Sequence, residues 1–398
     1  FSYTTLFRSS NMVKVSEITF DGGNDGGNSH VTKRTAFVED STTDMRETSF
    51  LHDVRGRVIV TLNPQAPHTL VKFDNLGRAT SVGQYSSTSG LDISDVPTSL
   101  ATNRMALSET FYDEKGQVWK TVRHKIDPAD GSDDDTLVSL TWYDPDGRVI
   151  KTEGEQLTKT VYDRLGRTTH SFVLGAFDDS GYSDADDVVD DLVLEERQTT
   201  YEGGSSNNVV MSAVIQRHFD DYGVSENLGA LDTNADGNAF KYTAANLEGR
   251  IQITSMWYDA WDRVIETVQY GTNGGSDFDR KPSGTFLTVP SRSTTELRTS
   301  YTYNEDGTVD QVTDPRAKVT RTLYDDLGRT VTTIQNYING TSSGATADDD
   351  LVTRFEYTSG LQTRMWVDID GDAVVDGVDQ VTTYIYGTVK ATPSQSKI

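Results

Sequence analysis

Val161-Tyr162-Asp163-Arg164-Leu165-Gly166-Arg167 recurs in recognisable copies along a chain of 398 residues. Trp142-Tyr143-Asp144-Pro145-Asp146-Gly147-Arg148 and Leu323-Tyr324-Asp325-Asp326-Leu327-Gly328-Arg329 are the best of them, with Lys72-Phe73-Asp74-Asn75-Leu76-Gly77-Arg78 close behind. An aromatic, Asp, two free positions, Gly and Arg is the chemistry of a tight hairpin turn. Asp opens a type I turn because its carboxylate accepts from the amides that follow it. Gly, three residues on, supplies the positive φ of a loop closed by a bulge. The aromatic and the Arg are expected to face each other across the ends of the two strands, a contact of roughly 0.5–1 kcal/mol.

The flanks read as strands. Arg148-Val149-Ile150-Lys151-Thr152, Arg57-Val58-Ile59-Val60-Thr61 and Arg329-Thr330-Val331-Thr332-Thr333 are short, β-branched and partly alternating. A divergent copy stands at Leu51-His52-Asp53-Val54-Arg55-Gly56-Arg57, and further acidic or amide turn residues at Asp113, Asp220, Asp259 and Asn304. The steps 53 to 74, 144 to 163 and 304 to 325 set a period near twenty, and the longer steps 74 to 113 and 220 to 259 are expected to hide a further copy each. Leu247-Glu248-Gly249-Arg250 is a candidate for the second. Additional turns at Glu153-Gly154 and Asp314-Pro315-Arg316-Ala317 halve the period. The expected fold class is therefore all-β, a repetitive antiparallel hairpin meander of strands of roughly five to eight residues, building a curved or spiralling sheet. No helix is signalled.

The expected organisation is an ill-defined stretch over residues 1–50, the repeat sheet over 51–335, and a divergent repeat with an acidic loop over 336–398. The first residues, Tyr3 to Ser9, resemble translated adapter sequence, so the chain reads as a fragment, and its lack of a signal peptide carries no weight. Hydrophobic residues make up 35%, which suits a sheet of modest burial better than a thick core. The net charge of −25, from 61 acidic and 36 basic residues, repels phosphate backbones and anionic lipid. Nucleic acid and membrane insertion are accordingly poor expectations, and no apolar run is long enough for a transmembrane helix. No cysteine is present, so disulfides and cysteine metal sites are out.

These copies resemble the YD repeats of the Rhs family, with Tyr-Asp-x-x-Gly-Arg at about this spacing, over most of residues 50–335. The resemblance implies hairpins joined into a long sheet that spirals into a shell or barrel, enclosing an effector in bacterial toxins and serving adhesion in animal teneurins. It implies a secreted or cell-surface bacterial protein, a non-enzymatic structural role, and as partners the rest of the parent chain or an enclosed effector. A carbohydrate-binding or adhesion module is the alternative, with surface glycans as partners, and a hydrolase the second. The toxin family's core-ending and autoproteolytic segments have no counterpart here.

Three insertions, Gly131 to Leu137, Gly181 to Leu192 and Gly344 to Leu351, run from Gly to consecutive Asp and are expected as lengthened loops opposite the motif turns. Chemistry is sought between the copies. Asp368, Asp370, Asp372, Asp376 and Asp379 occupy positions 1, 3, 5, 9 and 12 of a loop, a pattern in which carboxylates can converge on Ca2+. It resembles dockerin-like and thrombospondin type 3 calcium loops, although Gly371 precedes Asp372 and Asp379 replaces the usual Glu. Asp232 to Asn238 carries the first half of such a loop and lacks the second. Gly340-Thr341-Ser342-Ser343-Gly344 matches a nucleophile elbow without the strand and helix that chemistry needs. His30, His52, His68, His124, His170 and His218 show no metal-ligand spacing. Trp119, Trp142 and Trp257 could stack on sugars, but their lock to the repeat favours packing against the next hairpin.

Overall fold

The computed structural model describes residues 15–21, 27, 29–37, 45–176, 182–218, 228–233, 238–339, 349–386 and the short strand 396–397. Its strand ladders are antiparallel, and a 23-stranded sheet follows chain order as a meander. The only helical pieces among the described residues are single 3-10 turns such as Tyr182–Asp184 and Pro282–Gly284. Two compact units are distinguished, residues 1–159 with 180–186, and residues 160–179 with 187–398.

The motif closes its hairpins as the turn chemistry requires. At Asp163 the Gly166 amide donates to the Asp163 carbonyl at 3.0 Å and the Asp163 amide to the Arg167 carbonyl at 2.9 Å. Asp163 Oδ1 accepts from the Leu165 and Arg167 amides, both at 2.9 Å. Gly166 has φ 81°, and the matching Gly77, Gly147 and Gly328 lie between 73° and 87°. Beyond the turn the register slips, between Lys72 and Phe73 opposite Ser81 and Ala79 and between Leu323 and Tyr324 opposite Thr332 and Thr330, a bulge in the strand that follows the Gly. Ala317 holds the same position in its turn with φ 63°. A side chain in that region costs roughly 1–2 kcal/mol, against roughly 0.4–1 kcal/mol for the extra unfolded-state freedom of Gly. Ala317→Gly is therefore expected to stabilise the protein by about 0.5–1 kcal/mol, read as a raised urea midpoint at constant slope.

In the first unit the long step from Asp74 to Asp113 hides no hairpin. The strand Ala79–Tyr85 pairs directly with Arg104–Tyr112, and residues 86–103 form a loop without strands. That loop is a cover. Val60, Leu70 and Tyr85 are fully buried, with Leu91 and Leu100 of the loop packed on them. The Tyr85 hydroxyl donates to the Leu100 carbonyl at 3.2 Å. Buried Arg104 donates to the Pro97 and Gly131 carbonyls and pairs with Asp133. Asp133 to Asp135 consequently belong to an eleven-residue strand, Asp133–Tyr143, and not to a loop. The strand outgrows the expected length because Arg104 compensates its acidic end.

The second unit repeats the solution. Val209–Arg217 pairs directly with Gly249–Tyr258, so among the described residues the step leading to Asp259 also shows no hidden hairpin between these strands; Asp220 itself lies outside the described residues. Gly249 starts a strand, and a Cβ there would stand 2.4 Å from the Gln216 carbonyl oxygen, so close strand approach explains this glycine and a turn does not. Two insertions meet over the sheet, Lys241–Tyr242 pairing with Phe278–Asp279. Met211, Ile215, Ile253 and Val268 of the sheet and Leu231 of the first insertion are buried.

Candidate functional site

The recurring Asp, Arg and aromatic form one device. Arg167 Nε donates to Asp163 Oδ2 at 2.7 Å, and the same bond joins Arg57 to Asp53, Arg78 to Asp74, Arg263 to Asp259 and Arg329 to Asp325 at 2.7–2.8 Å. The guanidinium then covers a ring of the following motif hairpin: Arg57 over Phe73, Arg78 over Tyr112, Arg167 over Tyr201, Arg263 over Tyr303 and Arg329 over Tyr357, at 4.2–4.7 Å from the centroid. The phenol closes the joint. Tyr112 donates to the Ala79 carbonyl, Tyr201 to Thr168, Tyr303 to Val264 and Tyr357 to Thr330, in each case the residue after the Arg, at 2.7–3.0 Å. The contact expected within one hairpin thus runs between hairpins. A side chain at a strand end projects past its own partner, while the meander places the neighbouring turn alongside.

The geometry fixes the charge state of these acids. For Asp163, burial pushes the carboxyl up, but hydrogen bonds from the Arg167 amide and side chain and the Leu165 amide outweigh it, and the net direction is down. In Asp325 the Arg329 side-chain hydrogen bond is the leading cause of the same lowering. Asp53, Asp74, Asp144 and Asp259 move the same way. A carboxyl depressed in the folded state contributes stability that is fully present above its ordinary value of 3.8 and is lost as pH falls through the folded value. Thermal midpoints are expected to hold down to about pH 4 and to fall steeply below it, and Asp163→Asn should flatten part of that fall.

Asp368, Asp370 and Asp372 bring carboxylate oxygens within 4.8 Å of one another, the first buried and the others exposed. Much of their capacity is spent internally. Asp368 pairs with Arg354 at 2.7 Å and accepts from the Gly371 amide at 2.8 Å, and Asp372 accepts from Val374 at 2.7 Å. Asp376 caps the Val378 amide, and Asp379 accepts from the Ile369 and Asp376 amides. The five positions therefore divide into three gathered acids and two turn-forming ones. Residues 234–237 of the half-loop and Ser342 lie outside the described residues.

The tryptophans differ. Lys151 lies over Trp142 at 4.4 Å and Arg280 over Trp257 at 4.2 Å, while Trp119 stays 42% exposed. Trp119, Trp142, Tyr143 and Tyr182, with Asp113, Glu114, Gln117 and Lys115, line a groove of about 510 Å³ in the first unit, and the Lys115 ammonium donates to the Pro145 carbonyl at 3.0 Å.

No family model and no curated protein matches the chain. Among solved structures it is similar to the TcdB2-TccC3-TEV complex, at 12% identity and a TM-score of 0.27, over 93% of this chain and 21% of that one. The TcdB2-TccC3 complex without its hypervariable C-terminal region matches at 13% identity and the same TM-score, over 94% and 21%. The chain spans about a fifth of the length of these structures, and likeness at such scores carries no argument.

Sequence reading missed two elements of this arrangement. One is Arg280, 1% exposed, which donates to the Leu287 and Met256 carbonyls from inside an insertion. The other is Gln117, which stands where the copies at Asp53, Asp74, Asp144, Asp163, Asp259 and Asp325 carry Arg; a column-by-column comparison of the copies displays it.

Proposed function

We propose that this chain is a non-enzymatic scaffold of the Rhs/YD-repeat kind, part of a longer secreted or surface-exposed polypeptide, whose sheet encloses or presents another segment. The observation that carries this reading is the structural use of the motif's charged side chains. In the copies at Asp53, Asp74, Asp163, Asp259 and Asp325 the Asp and the Arg are both engaged in a turn and in the joint to the next hairpin. Buried acids with a partner set of their own, such as Glu196, likewise hold loops.

The test is limited proteolysis of the chain within its full reading frame. Flanking segments of that frame are expected to resist protease while the joints are intact, and to become cleavable when Arg78, Arg167 and Arg263 are replaced together by Ala. Equal cleavage in both proteins would remove the enclosing role. Turnover of an ester, peptide or glycoside substrate that survives purification and is lost on one acidic substitution would remove the non-enzymatic one.

A further inference from the structure

The repeat that departs from the joint also opens a groove. At Asp113 the turn is formed as elsewhere: the Gly116 amide donates to the Asp113 carbonyl at 3.1 Å, and the Gln117 amide to Asp113 Oδ1 at 2.7 Å. The Tyr143 phenol still donates to the Val118 carbonyl at 2.7 Å, so the two hairpins sit in the usual relation. The Gln117 side chain reaches forward into the next turn, to the Gly147 carbonyl at 3.0 Å, whereas Arg57 reaches the Asp74 carbonyl, the first residue of its own next turn. Gln117 brings no charge. Among the described residues no cation lies over the Tyr143 ring and none pairs with Asp113, the two groups that an Arg bridges in the complete copies. At Asn304 the Arg is also missing, but there the Asp has gone with it and Asn304 bonds Thr308, so no charge is left over.

The rings differ in the charges they feel. Burial pushes both the Tyr143 and the Tyr303 phenol up; at Tyr143 the Asp113 charge adds to it, whereas at Tyr303 the charge of Arg263 opposes that of Asp259. Trp119, where other copies have Thr80 and Thr169 or the aliphatic Ile59, Ile150, Ile265 and Val331, adds an exposed aromatic wall to the same groove.

We infer that the groove between Asp113 and Tyr143 is a docking site for the guanidinium of an arginine carried by an incoming peptide segment, which completes the joint in trans. The occupant follows from the molecule's own repeats, where an arginine meets the same carboxylate and the same kind of ring at fixed distances. An aromatic face attracts a guanidinium most strongly when both are partly desolvated, and a bidentate carboxylate adds direction. The net charge of −25 favours a basic partner. The inference is independent of whether the scaffold encloses anything.

The experiment titrates the intact chain with N-acetyl-arginine amide, following tryptophan fluorescence and heat, with the uncharged citrulline analogue beside it. The arginine probe is expected to bind saturably and the citrulline probe at least tenfold more weakly. Gln117→Arg supplies the missing group in cis, and is expected to raise the melting temperature and weaken binding at least tenfold. Asp113→Asn, checked for folding by far-UV circular dichroism, should lose as much, while Glu305→Gln, an exposed acid in the other unit, should change nothing. Equal binding of citrulline, undiminished binding by folded Asp113→Asn, or an equal loss in Glu305→Gln would overturn the inference. So would saturable binding of a neutral oligosaccharide such as cellohexaose that survives Asp113→Asn, which assigns the groove to sugar.

Discussion

Leu70→Ala is expected to lower the unfolding free energy of its unit by about 3 kcal/mol, measured as a fall in urea midpoint without a change in slope. Leu70 is 0% exposed and lies with Val60 and Tyr85 under Leu91 and Leu100. Truncation removes the transfer free energy of the side chain and leaves a cavity, because strands held by backbone ladders on both sides collapse only partly. The deletion should also loosen the covering loop. Protease is then expected to cut within residues 86–103 before it cuts the ladders. Leu76→Ala, in the exposed turn that follows the same strand, is the matched control and should cost less than about 0.5 kcal/mol.

Glu196→Ala is expected to cost a similar amount, about 3 kcal/mol, by another route. Glu196 is 1% exposed. One carboxylate oxygen accepts from the Leu231 and Asp232 amides at 2.7 and 3.2 Å, and the other from the Gln198 side-chain amide at 2.7 Å. Removing the acceptor strands buried donors, each at roughly 1–3 kcal/mol. Glu196→Gln keeps an acceptor for the backbone amides and should cost less. It also carries a pH signature. Burial raises the Glu196 carboxyl, hydrogen bonds from Gln198, Leu231 and Asp232 offset part of the rise, and the Asp232 charge adds to it. With the folded value above the ordinary 4.5, the native state takes up a proton first. Stability from this group therefore rises as pH falls from the folded value toward 4.5, opposite in sign to the turn aspartates. The Gln variant should lack that rise, and a wild-type profile without it would remove the assignment.

The motif made the hairpins legible because a turn is a local object: Asp, Gly and the bulge act within five residues, and their chemistry is readable wherever they recur. The direction of the Arg was not legible in the same way. Arg167 satisfies Asp163 and a ring at once, and that ring belongs to another hairpin, but sequence spacing alone does not choose between Tyr162 and Tyr201. The long steps misled for a related reason. A period counts turns, whereas residues 86–103 and the insertions meeting at Tyr242 and Phe278 are covers whose length answers to the apolar surface below. Gln117 was open to view, but it acquires meaning only once the joint is known to cross between repeats.

The joint has a sense along the chain: the carboxylate and guanidinium come from the earlier hairpin, the ring and hydroxyl from the later one. Every repeat with the full motif thus offers one plug and one socket of the same pattern. Excising the residues between two equivalent motif positions, or grafting in a hairpin from elsewhere in the chain, leaves a plug facing a socket. Such a protein can gain, lose or shuffle whole units by recombination with little local penalty at the seam. Its diversity is then free to accumulate in the covers and in the rare unit, like that of Asp113, whose plug is incomplete.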